Sequence, residues 1–459
     1  MESVIRHNTA SVSSLPEQFD LAIRRKPLMS QTVFEQISTD KSISQRAIVW
    51  SALTEGTSRI CGVLQSDDIF HCIEALKQLG VHIEWDQADV IVKGVGLTGL
   101  KQPRSDLYIG NSATATRLIM SLIAGSSLDV VIRGNALLSR RPMDWVVEPL
   151  RQMGAAITYL GEEGFLPVRV QGAFPLKPIH WNATVASAQQ KSAVLTAALF
   201  ANGVTAFRQQ CQSRNHTELM LQDMGAHVKM VSEQVTELQG CMPLKAQDRH
   251  VPGDISSAAF LMAAYLLRGE EMPPLVLKKV GVNPTRTGFV QVLQAMGADI
   301  SYSEETLWGS EPVADLHIQP ARHLQPVRIE GMAFVQSLID EIPLLAAIST
   351  VIHGDTTIID CMELKDKDTN RIDTTADVLR RFGAELRTCS KGMIIIGGKS
   401  LQACHTHSHG DHRIAMTAAI LASSLPEASV IEDAACLKVS YPTFLEDLAH
   451  FADIRIIPK

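Results

Sequence analysis

The sequence predicts an α/β protein of two domains, each built from three copies of one helix-on-sheet unit. Three observations carry this expectation. A helix-ending junction recurs five times, an alternating β-branched run follows each junction, and the chain of 459 residues is too long for one ordinary core.

The junctions come in order. Leu76-Lys-Gln-Leu-Gly80 precedes VHIEW, and Leu150-Arg-Gln-Met-Gly-Ala155 precedes AITYL. Leu221-Gln-Asp-Met-Gly-Ala226 leads into HVKMV, Leu293-Gln-Ala-Met-Gly-Ala298 into DISYS, and Leu379-Arg-Arg-Phe-Gly-Ala384 into ELRTC. A sixth, less faithful copy is Leu448–Ala452 followed by DIRII, with Phe451 in place of glycine. The five glycines are 74, 71, 72 and 86 residues apart. Each stands where an amphipathic helix must end, and glycine suits the left-handed residue just past a helix terminus. Each following segment alternates like a half-buried strand. Six copies divide into two groups of three, and the Pro-Gly turn within Val251-Pro-Gly-Asp254 is the natural boundary between the third and fourth.

Composition narrows the function classes. Charged residues make up 20%, hydrophobic ones 46%, and the net charge is −7, without the basic surplus of a nucleic-acid binder. No apolar run reaches bilayer-spanning length, and Val194–Phe200 and Ile342–Ile348 read as buried helix. The first thirty residues lack the pattern of a secretory signal. The eight cysteines are scattered with no C-x-x-C pair, which reads as reduced thiols in a cytoplasmic protein.

The polar motifs cluster at helix starts. Lys41-Ser-Ile-Ser-Gln-Arg46 follows Asp40 and opens an apolar helix, where free N–H groups and the helix dipole favour an anion. Gly110-Asn-Ser-Ala-Thr-Ala-Thr-Arg117 repeats that logic without the spacing of a P-loop. Arg140-Arg-Pro-Met143 places two guanidinium groups before another helix, with Pro142 suited to its first position. Ser187-Ala-Gln-Gln-Lys191 opens the run SAVLTAALFA. In the second half, Asp340-Glu341 stands in an apolar run that makes unpartnered acids costly, and Lys367-Asp-Thr-Asn-Arg371 and Asp411-His-Arg413 follow. Singly, each reads as a capped or solvated segment; together they suit a site that gathers phosphate and carboxylate groups. Cys404-His-Thr-His-Ser-His409 offers potential metal ligands, but its Gly-Asp-His ending reads as a loop feeding the next helix. No G-x-S-x-G elbow is present.

Lys41-Ser-Ile-Ser-x-Arg46, Gly110-Asn-Ser-x-Thr, Arg141-Pro-Met, Ser187-Ala-Gln, Ser213-Arg-x-His-Thr-Glu218, Asn283-Pro-Thr-Arg-Thr-Gly288, Ile339-Asp-Glu, Asp411-His-Arg-Ile-Ala-Met416 and Ser440-Tyr-Pro-Thr-Phe444 occur in this order. In them the chain resembles the enolpyruvyl transferases, and among these the 5-enolpyruvylshikimate-3-phosphate synthase family, from about residue 39 to the C-terminus. The resemblance implies a two-domain inverse α/β barrel with three repeats per domain: residues 1–40 plus 252–459 in one discontinuous domain, 41–251 in the other, and the active site in the cleft between them. The implied reaction moves the enolpyruvyl group of phosphoenolpyruvate to the 5-hydroxyl of shikimate 3-phosphate and releases phosphate, on the route to chorismate and the aromatic amino acids. It implies no metal, no organic cofactor and no nucleic-acid or membrane partner, and a monomer in the cytoplasm.

By the same resemblance, Asp340 accepts the hydroxyl proton, Asp368 is the second carboxylate, and Lys41 bridges both substrates. Arg141, Arg371 and Arg413 clamp phosphoenolpyruvate, with Asn111, Ala113 and Gln189 beside it. Ser42, Arg46, Ser187, Gln189, Arg214 and Lys367 hold shikimate 3-phosphate together with Lys41 and Asp340. The chain departs from the family's usual K-E-[ST]-D-R at Lys367-Asp-Thr-Asn-Arg371, where Asp368 is one methylene shorter and Asn370 is neutral. Ser38-Thr39, Gln45 and Asn215 are further departures, and Ala113, often glycine, implies insensitivity to glyphosate. The departures leave open another hydroxyl acceptor, such as a nucleotide, or a paralogue that binds ligands without turning them over. The cysteine typical of the UDP-N-acetylglucosamine enzyme has no counterpart between Cys72 and Cys211.

Overall fold

A computed structural model describes residues 15–27, 29, 31–184, 186–269, 273–321 and 323–459. Its described residues form six sheets of one common plan. In the plainest case, Leu107–Tyr108 pairs parallel to Asp129–Arg133, which runs antiparallel to Val168–Gln171, which runs antiparallel to Ala156–Tyr159. The same order joins His180–Asn182, Val204–Arg208, Val235–Gln239 and His227–Ser232. It recurs in Arg328–Ile329, Gly354–Ile358, Gly392–Gly397 and Glu385–Cys389. Three sheets borrow strands from distant sequence, one of them by pairing Val33–Phe34 parallel to Leu275–Gly281. Leu244–Lys245 and Arg249–His250 pair with Thr54–Cys61, and Phe19–Arg25 lies between Ser429–Glu432 and Ala452–Pro458.

The repeated glycines end their helices as their sequence context requires. Gly80, Gly154, Gly225, Gly297 and Gly383 all have positive φ, between 82° and 113°. In the first copy the Gly80 N–H donates to the Lys77 carbonyl at 2.9 Å and the Val81 N–H to the Leu76 carbonyl at 3.1 Å. This pair of bonds caps a helix C-terminus and aims the chain into the next strand. The sixth copy keeps the first of them, Phe451 N–H to the Leu448 carbonyl at 2.8 Å, and its strand Ala452–Pro458 follows directly.

The chain separates into two compact units. One comprises Met1–Ser38, Gly253–Thr306 and Pro312–Lys459; the other comprises Thr39–Pro252 and Leu307–Glu311. Each has its own hydrophobic core. Within each, three helices are buried almost all round. In the Thr39–Pro252 unit these are Lys41–Ser51, Ala113–Ala124 and Ala188–Ala198. In the other they are Ile255–Leu266, Ile342–Ser349 and His412–Ala422. The helices that end at the repeated glycines are amphipathic instead; Asp67–Gln78, for example, buries Ile69, Cys72, Ile73 and Leu76 on one face.

Candidate active site

In the Thr39–Pro252 unit the three buried helices bring their N-termini together. Asp40 caps the Lys41 helix by accepting the Ile43 N–H at 2.8 Å, while Ser112 caps the Ala113 helix and Ser187 the Ala188 helix. Gln45 Nε2 donates to Ser112 Oγ at 2.6 Å, tying the first helix to the second. Arg46 Nη2 donates to Ser192 Oγ at 2.7 Å and Trp50 Nε1 to Thr196 Oγ1 at 3.1 Å, tying the first to the third. Three positive helix ends therefore point at one region that carries Lys41, Ser42, Asn111, Ala113, Ser187 and Gln189, and such ends attract anions.

The arginines add to that field. Arg46 is buried, and its hydrogen bonds go to neutral oxygens: Ser192 Oγ, Thr217 Oγ1 at 3.1 Å and the Ser42 carbonyl at 3.0 Å. Burial pushes its pKa down to about 10; nearby Arg214 adds to the fall, and Asp40, Glu218 and Glu311 oppose it. Arg117 lies over the Trp145 ring at 4.3 Å, and burial, helped by the charge of Arg141, lowers it to about 9. Lys41 Nζ pairs with Asp68 at 3.2 Å. Arg141 precedes a helix that begins at Asp144 with Met143 as its cap. The expectation for Pro142 is thus corrected: the helix starts two residues later, and Pro142 lies outside it because Met143 is the cap, its N–H donating to the Gly164 carbonyl at 2.8 Å and its carbonyl accepting the Val147 N–H at 2.9 Å.

The other unit has the same construction with different charges. Asp254 and Asp411 cap the Ile255 and His412 helices. Ser256 Oγ donates to Glu341 in a short hydrogen bond, and Arg413 Nη1 reaches the same Glu341 oxygen at 3.4 Å. Three helix starts converge again. At their centre Arg371 Nε donates to Asp411 Oδ2 at 2.8 Å and Nη2 to Asp411 Oδ1 at 3.2 Å. Its Nη1 reaches Asp340 at 3.4 Å and its Nη2 Asp368 at 3.3 Å. Burial alone would lower the Arg371 pKa, but Asp411, Asp340 and Glu341 raise it above its ordinary value. Burial likewise opposes ionisation of Asp411, yet Arg371 and His412 hold its carboxyl well below the usual carboxylate range. Lys367 Nζ sits 2.5 Å from Glu363 and 4.0 Å from Asp340.

The shortened carboxylate keeps its contacts. Besides Arg371, Asp368 Oδ2 lies 3.2 Å from His412 Nδ1. Asp368, Asp411 and His412 place one potential ligand atom each within 4.8 Å of one another, but the Arg371 guanidinium already pairs with both carboxylates there. The histidine tract is divided: His405–His407 is a strand, and His409 turns to a φ of 56° with its Nε2 3.1 Å from Asp377.

Asp340, Lys367, Asp368 and Arg371 are thus in direct contact, and Arg413 pairs with Glu341, the next residue after Asp340. A match to the family EPSP synthase (3-phosphoshikimate 1-carboxyvinyltransferase) covers residues 26–448. The chain belongs to the EPSP synthase family. It is 42% identical over 411 residues to a 3-phosphoshikimate 1-carboxyvinyltransferase of Desulforamulus reducens, covering 89% of this chain and 94% of that one. With the enzyme of that name from Bacillus cytotoxicus it shares 41% over 430 residues, 93% of this chain and 99% of the relative. A solved EPSP synthase from Acinetobacter baumannii superposes with a TM-score of 0.85 at 36% identity, covering 95% of this chain and 99% of that one. The two-domain α/β fold expected from the repeats is the fold of this family.

Four residues that shape the site lie inside the polar motifs of the sequence, yet the resemblance gives them no role. Gln45, Arg117, Lys191 and Glu341 act through buried contacts. Their one available signal is a polar side chain inside or at the start of an otherwise apolar helix.

Proposed function

We infer that this chain transfers the enolpyruvyl group of phosphoenolpyruvate to the 5-hydroxyl of shikimate 3-phosphate, releasing phosphate, as a step of aromatic amino acid biosynthesis. The observation that carries the reading is the Arg371 cluster, in which one buried guanidinium holds Asp340, Asp368 and Asp411. Addition needs a base for the acceptor hydroxyl and an acid for the methylene carbon of phosphoenolpyruvate; elimination then returns that carbon's proton and expels phosphate. Asp340, partly exposed and held by Arg371, takes the hydroxyl proton. Asp368, with His412 and Arg371 on one oxygen, is the second proton-handling carboxylate. Lys41 stabilises the charge that develops between the two substrates.

Anion binding divides by charge. Arg46 and Arg214 with Ser42, Ser187 and Lys367 are assigned to shikimate 3-phosphate, for which two neighbouring guanidinium groups make a fitting phosphate site. Arg141, Arg371 and Arg413, with Asn111, Ala113 and Gln189, are assigned to phosphoenolpyruvate. The Asn111 Oδ1 atom is buried with no hydrogen-bond partner among the described residues, as expected of a group that meets its partner in a ligand. A monomeric state and a cytoplasmic setting complete the proposal, the latter supported by eight cysteines scattered along the sequence with no C-x-x-C pair. The test is phosphate release with phosphoenolpyruvate and shikimate 3-phosphate beside a panel of other hydroxyl acceptors, with the product identified by mass. Turnover with a different acceptor and none with shikimate 3-phosphate would overturn the assignment.

A further inference from the structure

We propose that Lys191 is a positioning residue for shikimate 3-phosphate, acting through the segment that carries Arg214; this rests on the assignment of Arg214 above. Lys191 stands one turn into the Ala188 helix and is 1% exposed. Its Nζ lies 2.6 Å from Glu218 Oε1 and donates to the Ser213 carbonyl at 3.2 Å. One ammonium group therefore pins both ends of the stretch Ser213–Glu218, and Arg214 lies inside that stretch. The same stretch supplies Thr217, whose Oγ1 accepts from Arg46 Nε at 3.1 Å and meets Ser192 Oγ at 2.6 Å. Both phosphate-directed arginines thus hang on a segment fixed by Lys191.

The energetics favour a positioning role over plain stabilisation. A fully buried ion pair is a weak source of stability, because desolvation offsets most of its attraction, and an apolar pair of similar volume often serves as well. What the pair adds is placement and charge balance. The Glu218 charge bears on Arg46. With the ammonium alongside, the carboxylate does not cancel the positive surplus that a phosphate needs. Ser213 Oγ further donates to Gln209 Oε1 at 2.7 Å, so Ser213 is held through its side chain as well as through the carbonyl that Lys191 grips.

The test pairs two substitutions, since Lys191→Met alone strands a buried carboxylate and can fail to fold. The double variant Lys191→Met/Glu218→Gln removes both charges at nearly constant volume. It is expected to melt close to the unsubstituted protein. Its KM for shikimate 3-phosphate should rise roughly tenfold or more, the scale of one charge-assisted hydrogen bond, while the KM for phosphoenolpyruvate stays within about twofold. A folded double variant with an unchanged KM for shikimate 3-phosphate overturns the proposal. Arg214→Gln is measured alongside. An unchanged KM there overturns the anchor assignment itself, whereas a raised KM in Arg214→Gln with none in the Lys191 variant overturns only the positioning role.

Discussion

Replacing Asp411 by asparagine tests whether the Arg371 cluster is organised from its buried end. Asp411 has no exposed surface, accepts two hydrogen bonds from Arg371, at 2.8 and 3.2 Å, and caps its helix by accepting the Arg413 N–H at 2.9 Å. Breaking a buried charge pair from one side costs about 3–5 kcal/mol, because the remaining charge loses its compensation. Arg371 keeps contacts with Asp340 and Asp368, and asparagine still caps, so the expected loss is about 2–3 kcal/mol. For a unit of this size that is roughly 4–12 °C in Tm. Asp411→Ala also loses the cap and should lose about 1 kcal/mol more. The pH dependence has a definite sign. The folded pKa of Asp411 is depressed, so its contribution is present above its unfolded value of about 4 and is lost as pH falls toward the folded one. Acid destabilisation below about pH 4 should therefore be shallower in Asp411→Asn than in the unsubstituted chain. Thermal melts from pH 3 to 7, with steady-state kinetics at pH 7, decide the matter. A melt within about 1 °C of the unsubstituted protein, together with an unchanged KM for phosphoenolpyruvate, would refute the reasoning.

Asp368→Asn should reduce kcat by about 10²- to 10⁴-fold while the protein stays folded, since under the proposed function it removes a proton-transfer group from a partly exposed position; stopped-flow phosphate release reads it. Ala113→Gly removes a buried methyl at the start of its helix and should increase inhibition by glyphosate, and sub-micromolar inhibition of the unsubstituted enzyme would sink the expected insensitivity. Burial raises Asp447 to about 6 although Tyr441 and Thr443 both donate to it at 2.8 Å. A raised carboxyl pKa means that stability is fullest below pH 4 and is lost as pH rises through about 6, so Asp447→Asn should melt higher than the unsubstituted chain at pH 8 and show little difference at pH 4. The gain should be about 1–2 kcal/mol, discounted because the side chain is only half-buried.

The architecture was legible because one local rule recurs. A glycine with positive φ ends an amphipathic helix, and a strand must follow; Gly80 and Gly383, some three hundred residues apart, obey it with the same two hydrogen bonds. The helix starts were legible for a similar reason, since Asp40, Ser112, Ser187, Asp254 and Asp411 are all residues that cap well. Sheet completion was not legible. No local pattern in Phe19–Arg25 names Ala452–Pro458 as its partner, because strand pairing is decided by packing far away in sequence. The buried contacts of the site were hidden for the same reason. Gln45 reads as a departure from an expected residue, and its role is visible only when Ser112 stands 2.6 Å away.

The departures at 368–370 show how two substitutions can make sense together. Asn370 caps the Arg371 helix, its Oδ1 accepting from the Ile372 N–H at 3.2 Å and the Asp373 N–H at 3.5 Å, as an aspartate would. Its Nδ2 also donates to Asp373 Oδ2 at 2.6 Å, where a carboxylate at 370 would meet like charge. The neighbourhood already holds Asp340, Asp368 and Asp411 around Arg371, and a neutral cap adds no further negative charge to a cluster proposed to bind an anion. Asp368 then needs only to reach His412 and Arg371, which it does at 3.2 and 3.3 Å despite its shorter arm. The geometry proposed for acid–base chemistry therefore depends on where the backbone of Lys367–Asn370 is held, and that backbone is fixed by the cap at one end and the Lys367–Glu363 pair at the other.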